Sequence, residues 1–543
     1  MVRDGEVVTK PRRLVVSSFR PEAPEELDCI EASILKTSPA TARPKQHHLE
    51  LGGPKMDDAS FILGSFPSYG EEDLGLKRYD AALRQYASSA SKLSKEARAA
   101  VVANPIPLFQ MLQPARNSIG CLIFLDILYS HHSELPTHVL DMTVEFLLAF
   151  DPRQVTYVGG LLLSLLERIG SGRVFPAMVA VELLVTAMLR LDPTGTIFTP
   201  THLILAKLVY ETDLVRPALP VLDADILFYP VPPTSRDAKQ LGYDADLPPA
   251  ASISASAGLA DQVKSATVLE YNLVRGLIFI SRRDWPTAHA ALEQVISHPS
   301  KSKGVSKMMT EAYKKWLLVG LLHEGKSPRY PSNMGVAAQT NLATTGEPYS
   351  SFAMLFSTDR VANLKTKYET HRQTWEEDGN ATLMAEVMSA YQKWQIINLR
   401  HIYQRVSMSE VQRTTLDAET GKPLRDVQTT ETLVRGMIRS GILRGKIETG
   451  QAGGESYIAF SDSHGSMTEA QFARELAHCQ RQVETLNGHL AVADERLNGS
   501  RDYLRHLARE QKRAEVEKEA DAAVGFETQI EDEDLMTGVL AHS

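Results

Sequence analysis

Residues Leu399 to Ser461 read LRHIYQRVSMSEVQRTTLDAETGKPLRDVQTTETLVRGMIRSGILRGKIETGQAGGESYIAFS. Helical apolar spacing runs through Ile402, Val406 and Val411 and resumes at Leu433, Met437 and Ile438. Past Ser440-Gly441 the period changes. Ile442–Ile447 and Ser456–Phe460 then predict two short strands, joined by a turn containing Gly450, Gly453 and Gly454. Two helices, a third helix and a hairpin in that order predict a winged helix-turn-helix.

Working outward, the chain has 543 residues, more than one hydrophobic core usually holds, so several domains or a repeat array is expected. A net charge of -9 argues against nucleic acid as the main partner, because phosphate binding depends on clustered cations. Cys29, Cys121 and Cys479 are scattered and odd in number, which suits neither a disulfide framework nor a CxxC metal site and fits a reducing compartment. No apolar run is long enough to span a bilayer, and the N-terminal stretch lacks the apolar core of a secretory signal.

The composition divides the chain into a disordered tail over 1–57, helical repeats over 58–229, a flexible insertion over 230–266, further helical repeats over 267–398, the winged helix over 399–462, a long helix over 466–520 and an acidic disordered tail over 521–543. The segments Ile119–Tyr129, Val139–Phe150, Val155–Ile169 and Pro176–Leu191 are strongly apolar, and helices of that kind need cover on more than one side, as in a solenoid. Thr199 and Pro200 predict a helix start and Pro217 its end; Pro217 and Pro220 predict a fixed bend. Gly276, Phe279, Trp285, Ala288, Leu292 and Pro299 fall where a tetratricopeptide-like unit places its packing residues. Single helices follow at Met309–His323, Ser351–Phe356, 359–370 and Thr382–Trp394, with a Pro- and Gly-punctuated stretch over 327–349. The fold class is therefore mainly α: a tetratricopeptide-like solenoid, a winged helix and a long C-terminal helix.

In that last helix Phe472, Leu476, Cys479, Val483, Leu486, Leu490, Ala493 and Leu497 alternate steps of four and three, with Leu504 and Leu507 in phase. Such a seam asks for a helical partner or for the body of its own chain. On the winged helix, Ile442, Arg444, Lys446, Ile447, Tyr457 and Phe460 are the candidate interface residues, presented at an unpaired sheet edge. On the C-terminal helix the candidates are Phe472, Leu476, Val483, Leu486, Leu490 and Leu497.

Signals for catalysis fail one by one. Gly320 to Ser327 matches the phosphate-binding pattern GxxxxGKS, but a helix precedes it and Pro328 follows it, so Gly325 reads as a helix stop. His47-His48 and His131-His132 are adjacent pairs that point apart on a helix, and neither an HExxH nor a GxSxG motif occurs. No catalytic, cofactor or metal residue is assigned. Arg435, Arg439, Arg444 and Lys446 leave a nucleic-acid-binding winged helix as an alternative, opposed by Glu431 and by the apolar face of the third helix.

Helical repeats, a winged helix and a long C-terminal helix together resemble the PCI domain, shared by the proteasome lid, the COP9 signalosome and translation initiation factor 3. Arg216–Ile226 (RPALPVLDADI) and Glu311–Lys326 (EAYKKWLLVGLLHEGK), with the winged-helix runs, are most similar to the signalosome's subunit 3 family. The likeness covers roughly Phe61 to Ala520; Thr415–Asp426 and the insertion depart from it. It implies a non-catalytic, cytoplasmic and nuclear scaffold in the complex that removes a ubiquitin-like modifier from cullins. Its implied partners are other PCI and MPN subunits, met through winged-helix edges and a C-terminal helix bundle. Cullin-RING ligases would be met indirectly, while membranes and nucleic acid are not expected partners. The catalytic metal would belong to another subunit, and a proteasome-lid scaffold is the alternative.

Overall fold

The computed structural model describes residues 56–67, 76–132, 135–230, 253, 257–260, 263–299, 304–358, 360–418, 420–449, 455–460, 468–498, 503 and 506–512. The predicted tail before Met56, most of the insertion, the hairpin turn with its three glycines, Leu504 and the acidic end all lie outside these residues.

Twenty-two α-helices and one three-stranded sheet make up the described structure. No described helix is long and apolar enough to cross a membrane. The predicted apolar helices appear as Ser118–His131, Thr137–Ala149 and Ala177–Leu191. Their sequential packing buries Phe124, Phe146 and Leu184 completely, which costs no unpaired backbone because each helix satisfies its own. Exposed ends are capped by side chains from neighbours: Arg190 donates to the carbonyls of Phe150, Leu148 and Ala149 at 2.6, 2.8 and 3.0 Å. Three last-turn acceptors are thereby satisfied by one guanidinium.

The segment expected as one helix over Val155–Ile169 is broken into Pro152–Val155, a 3-10 turn Thr156–Val158 and Gly159–Gly170. The break falls at Val158, at φ -132°, just before the Gly159-Gly160 pair, whose low helix propensity makes an uninterrupted helix there less favourable. Thr199 and Pro200 do open a helix, with His202 completing a capping box, but it ends at Thr212, where Asp213 turns left-handed at φ 59°. Pro217 does not end it. Pro217 and Pro220 lie inside a separate helix, Val215–Leu222, Pro217 in its first turn where no intrahelical donor is needed. Arg275, buried on the next helix, donates to the Leu222 carbonyl at 2.7 Å and so fixes the end of this short element.

The repeat unit comprises Ser265–Ser281 and Trp285–Ile296. A Cβ on Gly276 would lie 2.8 Å from Leu292 Cδ2, so any larger residue would have to displace Leu292 at this approach of the two helices. The punctuated stretch over 327–349 is more helical than expected: it holds Val336–Thr345 and the start of Glu347–Phe356. Arg372–Glu377 is a further helix that the apolar pattern does not signal.

The insertion is not wholly a loose linker. Ile253, Ala257, Leu259 and Ala260 are buried, and the following helix already begins at Ser265.

Most buried residues form one core, from Leu63 to Tyr391 with Ala418 added from the stretch after Thr414. A second core gathers Ile396, Ile397, Val406, Met408, Val411, Val434, Met437, Leu443 and Ile458. Helix Ala381–Leu399 contributes to both, with Leu383 to Tyr391 in the first and Ile396 and Ile397 in the second.

One buried group makes the fold sensitive to acid. The His202 Nδ1 accepts the Thr199 backbone N–H at 3.1 Å, so the neutral ring carries its proton on Nε2, which is buried without a partner. Burial drives the imidazole pKa down to about 4, against the opposing pull of Thr199 and Asp192. The native state therefore resists protonation while the unfolded chain accepts it near pH 6.5. Stability is complete above about pH 6.5 and falls as pH drops toward 4, by roughly 3 kcal/mol. Urea titrations at pH 7.5 and 4.5 check this, and His202→Gln should reduce the difference, leaving the part due to His289, whose pKa burial also lowers to about 4.

Candidate protein-interaction surfaces

Two pieces of the chain hold the candidate residues: the winged helix and the long C-terminal helix. In the winged helix the first part of the sequence reading needs correction. Ile402 does not continue a helix; it lies in a turn and is 75% exposed, and Val406 belongs to strand β1, Arg405–Ser407. Its side chain points to the second core because β1 pairs with β3 and alternates with it.

Ser407 then caps helix Met408–Thr414, accepting the Glu410 N–H. The lengthened stretch after it folds back on itself: Leu416 bridges Pro423, and the Leu416 N–H donates to Gln395 Oε1 at 2.7 Å. Gln392 Nε2 donates to Asp417 Oδ1 at 2.6 Å, so the extra turn is pinned to the preceding helix rather than spread over the wing. Asp426 caps the third helix, Val427–Arg439, through Thr429, and those amide hydrogen bonds hold its carboxyl below the usual range. Gly441, at φ 75°, reverses the chain after Ser440 in a conformation that favours glycine.

Strands β2, Gly445–Thr449, and β3, Ser456–Phe460, complete the sheet in the order β1-β3-β2. The predicted strand from Ile442 thus starts three residues late. Ile442 lies half-exposed before it, and Arg444 immediately precedes it. Tyr457 and Phe460 lie on β3, the central strand, and not at an edge. In register, Ala459 faces Lys446 and Arg405, while Ile458 faces Ile447 and Val406. Lys446 and Tyr457 consequently point to solvent, and Ile447 and Phe460 pack against the second core. The side of β2 away from β3 has no strand partner among the described residues.

A cleft of about 790 Å³ beside the third helix is lined by Lys393, Leu433, Met437 and Ile442. It is not legible in the sequence, because Lys393 arrives from helix Ala381–Leu399, before the wing. On the same helix Arg435 is engaged by Glu431 at 3.0 Å, four residues apart. That pairing leaves less free charge for a phosphate backbone than the sequence suggests.

The C-terminal helix spans Glu469–Asn498. Phe472, Leu476, Val483, Leu486 and Leu490 are 59, 58, 55, 57 and 61% exposed. Leu497 lies within the helix, its side chain outside the described set. An amphipathic helix folded onto its own chain would bury this row, so these residues stand unpartnered in the isolated chain.

The run Glu311–Lys326 supplies packing and polar contacts within the repeats. In Glu311–Lys326, Lys314 Nζ meets Asp378 at 2.6 Å, Tyr313 hydrogen-bonds Tyr330 at 2.6 Å, and Trp316 is fully buried. Gly325 ends helix Lys307–Glu324 in the left-handed region, and its N–H donates to the Leu321 carbonyl. The phosphate-loop look-alike is thus the C-terminal end of a helix, whose carbonyls repel phosphate. Among the described residues no cluster of three or more His, Cys, Asp or Glu could hold a metal.

Comparison with known proteins bears on these surfaces. The family described as "COP9 signalosome complex subunit 3, N-terminal helical repeats" matches residues 81–336. A COP9 signalosome complex subunit 3 from Neurospora crassa is 34% identical over 505 residues, covering 90% of this chain and 100% of its own length. The subunit 3 of Emericella nidulans is 27% identical over 84% of this chain and 94% of its own. That of Dictyostelium discoideum is 22% identical over 44% of this chain and 54% of its own. Similarity that runs through repeats, winged helix and the start of the C-terminal helix shows that the chain belongs to the COP9 signalosome subunit 3 family.

Proposed function

We propose that the chain is a non-catalytic scaffold subunit of the COP9 signalosome, acting in the cytoplasm and nucleus. It supports removal of a ubiquitin-like modifier from cullins by a partner metalloprotease subunit. The observation that carries this reading is the row of exposed apolar side chains on Glu469–Asn498, a face that water disfavours and a helix bundle would cover. The unpaired side of β2 offers a second, backbone-mediated contact to a neighbouring PCI subunit. Cullin-RING ligases are then met indirectly, through the assembled complex.

Affinity purification of the tagged full chain tests the reading. Recovery of the other signalosome subunits together with cullins is expected. Recovery with proteasome-lid subunits and ATPases, without signalosome subunits, would overturn it.

A further inference from the structure

Ile253, Ala257, Leu259 and Ala260 expose only 4, 6, 3 and 1% of their surface, although composition reads their surroundings as linker. Ala257 and Leu259, with Gly258 between them, meet the junction where the 3-10 turn Thr156–Val158 passes into helix Gly159–Gly170. A Cβ on Gly159 would lie 2.1 Å from the Ala257 carbonyl oxygen and 2.9 Å from Leu259 Cγ. A Cβ on Gly258, whose φ is +75°, would lie 2.9 Å from the Gly160 nitrogen. Backbone therefore rests on backbone, with glycine required on both sides. Beyond Gly258 the seat continues as an open cleft of about 590 Å³ lined by Ser91, Arg98, Asp126 and Tyr157.

Ala257–Leu259 pack against residues about a hundred positions earlier in the chain. Burial of Leu259 and the close backbone packing at Gly159 hold the segment there against the entropy that a free chain would gain.

We propose that the junction at Gly159-Gly160 is a docking groove for an extended segment of small residues with aliphatic anchors, and that its occupant is this chain's own Ile253 with Ala257–Ala260. Seated there, the segment closes the groove to other peptides. Leu259 and Ile253 supply the apolar anchors; Gly258 supplies the close approach.

Two experiments on the full chain test this. In the first, a labelled peptide of residues 251–261 is titrated into the native chain and into the Ile253→Ser, Leu259→Ser variant. Saturable binding to the variant is expected, at least about tenfold tighter than to the native chain, whose groove is filled in cis. No binding by a variant that retains native helicity, or equal binding by both proteins, overturns the proposal. The second needs no weakened anchor. Gly159 has ordinary helical dihedrals, φ -58° and ψ -31°, so Gly159→Ala keeps the helix while its methyl occupies the position of the Ala257 carbonyl. A protease that cleaves after small apolar residues should then cut at Ala257 and Ala260 about tenfold faster than in the native protein. An unchanged rate overturns the proposal.

Discussion

Replacing Leu486 and Leu490 by Asp is expected to leave the melting of the isolated chain almost unchanged and to remove the chain from its assembly. The two side chains are 57 and 61% exposed, so in the free subunit they hold little together, and surface substitutions cost within about 0.5 kcal/mol. In a helix bundle each Leu would contribute about 1.5 to 3 kcal/mol of apolar burial, before the penalty of burying a carboxylate. The pair therefore weakens association by at least about 100-fold. Size-exclusion chromatography with co-expressed partner subunits reads the outcome. A double variant that co-elutes as the native chain does would show that the row of leucines faces nothing.

The second large effect is one of stability. Gly325→Val should destabilise the chain by about 2 to 5 kcal/mol, in two parts. At φ +71° a side chain costs roughly 1 to 2 kcal/mol. A Cβ would also stand 2.3 Å from Trp394 Cδ2, and overpacking of that kind adds about 1 to 3 kcal/mol. The damage would fall where helix Lys307–Glu324 meets helix Ala381–Leu399, the element shared by both cores. Urea unfolding of the full chain measures it. A variant as stable as the native protein would mean that Gly325 is not the obligatory end of its helix.

Gly325 also shows what the sequence makes legible. A pattern match alone would have assigned it to a phosphate loop, while attention to what precedes and follows it identified a helix stop. The solenoid was readable for a similar physical reason: helices apolar on most faces, such as Ser118–His131, have few ways to be covered. The third helix and β3 of the winged helix were also readable, because glycine and a change of period mark their limits. β1 was not, since three residues give no alternation to detect and Ile402 supplied a false helical match. Nor was the order of the sheet, which depends on β1 and places Tyr457 and Phe460 on the central strand. The seat of Ala257–Ala260 escaped for a different reason. Its partner, the Gly159-Gly160 pair, is remote in sequence, and small residues look the same whether they lie loose or pack closely.

The central claim is that the apolar face of Glu469–Asn498 is bare in the free chain and covered in the complex. Cys479 lies on that helix and is exposed, whereas Cys121 is buried. Its alkylation can be followed by peptide mass spectrometry, which separates it from Cys29 and Cys121. The account predicts fast labelling in the isolated chain and at least about tenfold slower labelling in the purified assembly. Equal rates in both would contradict it.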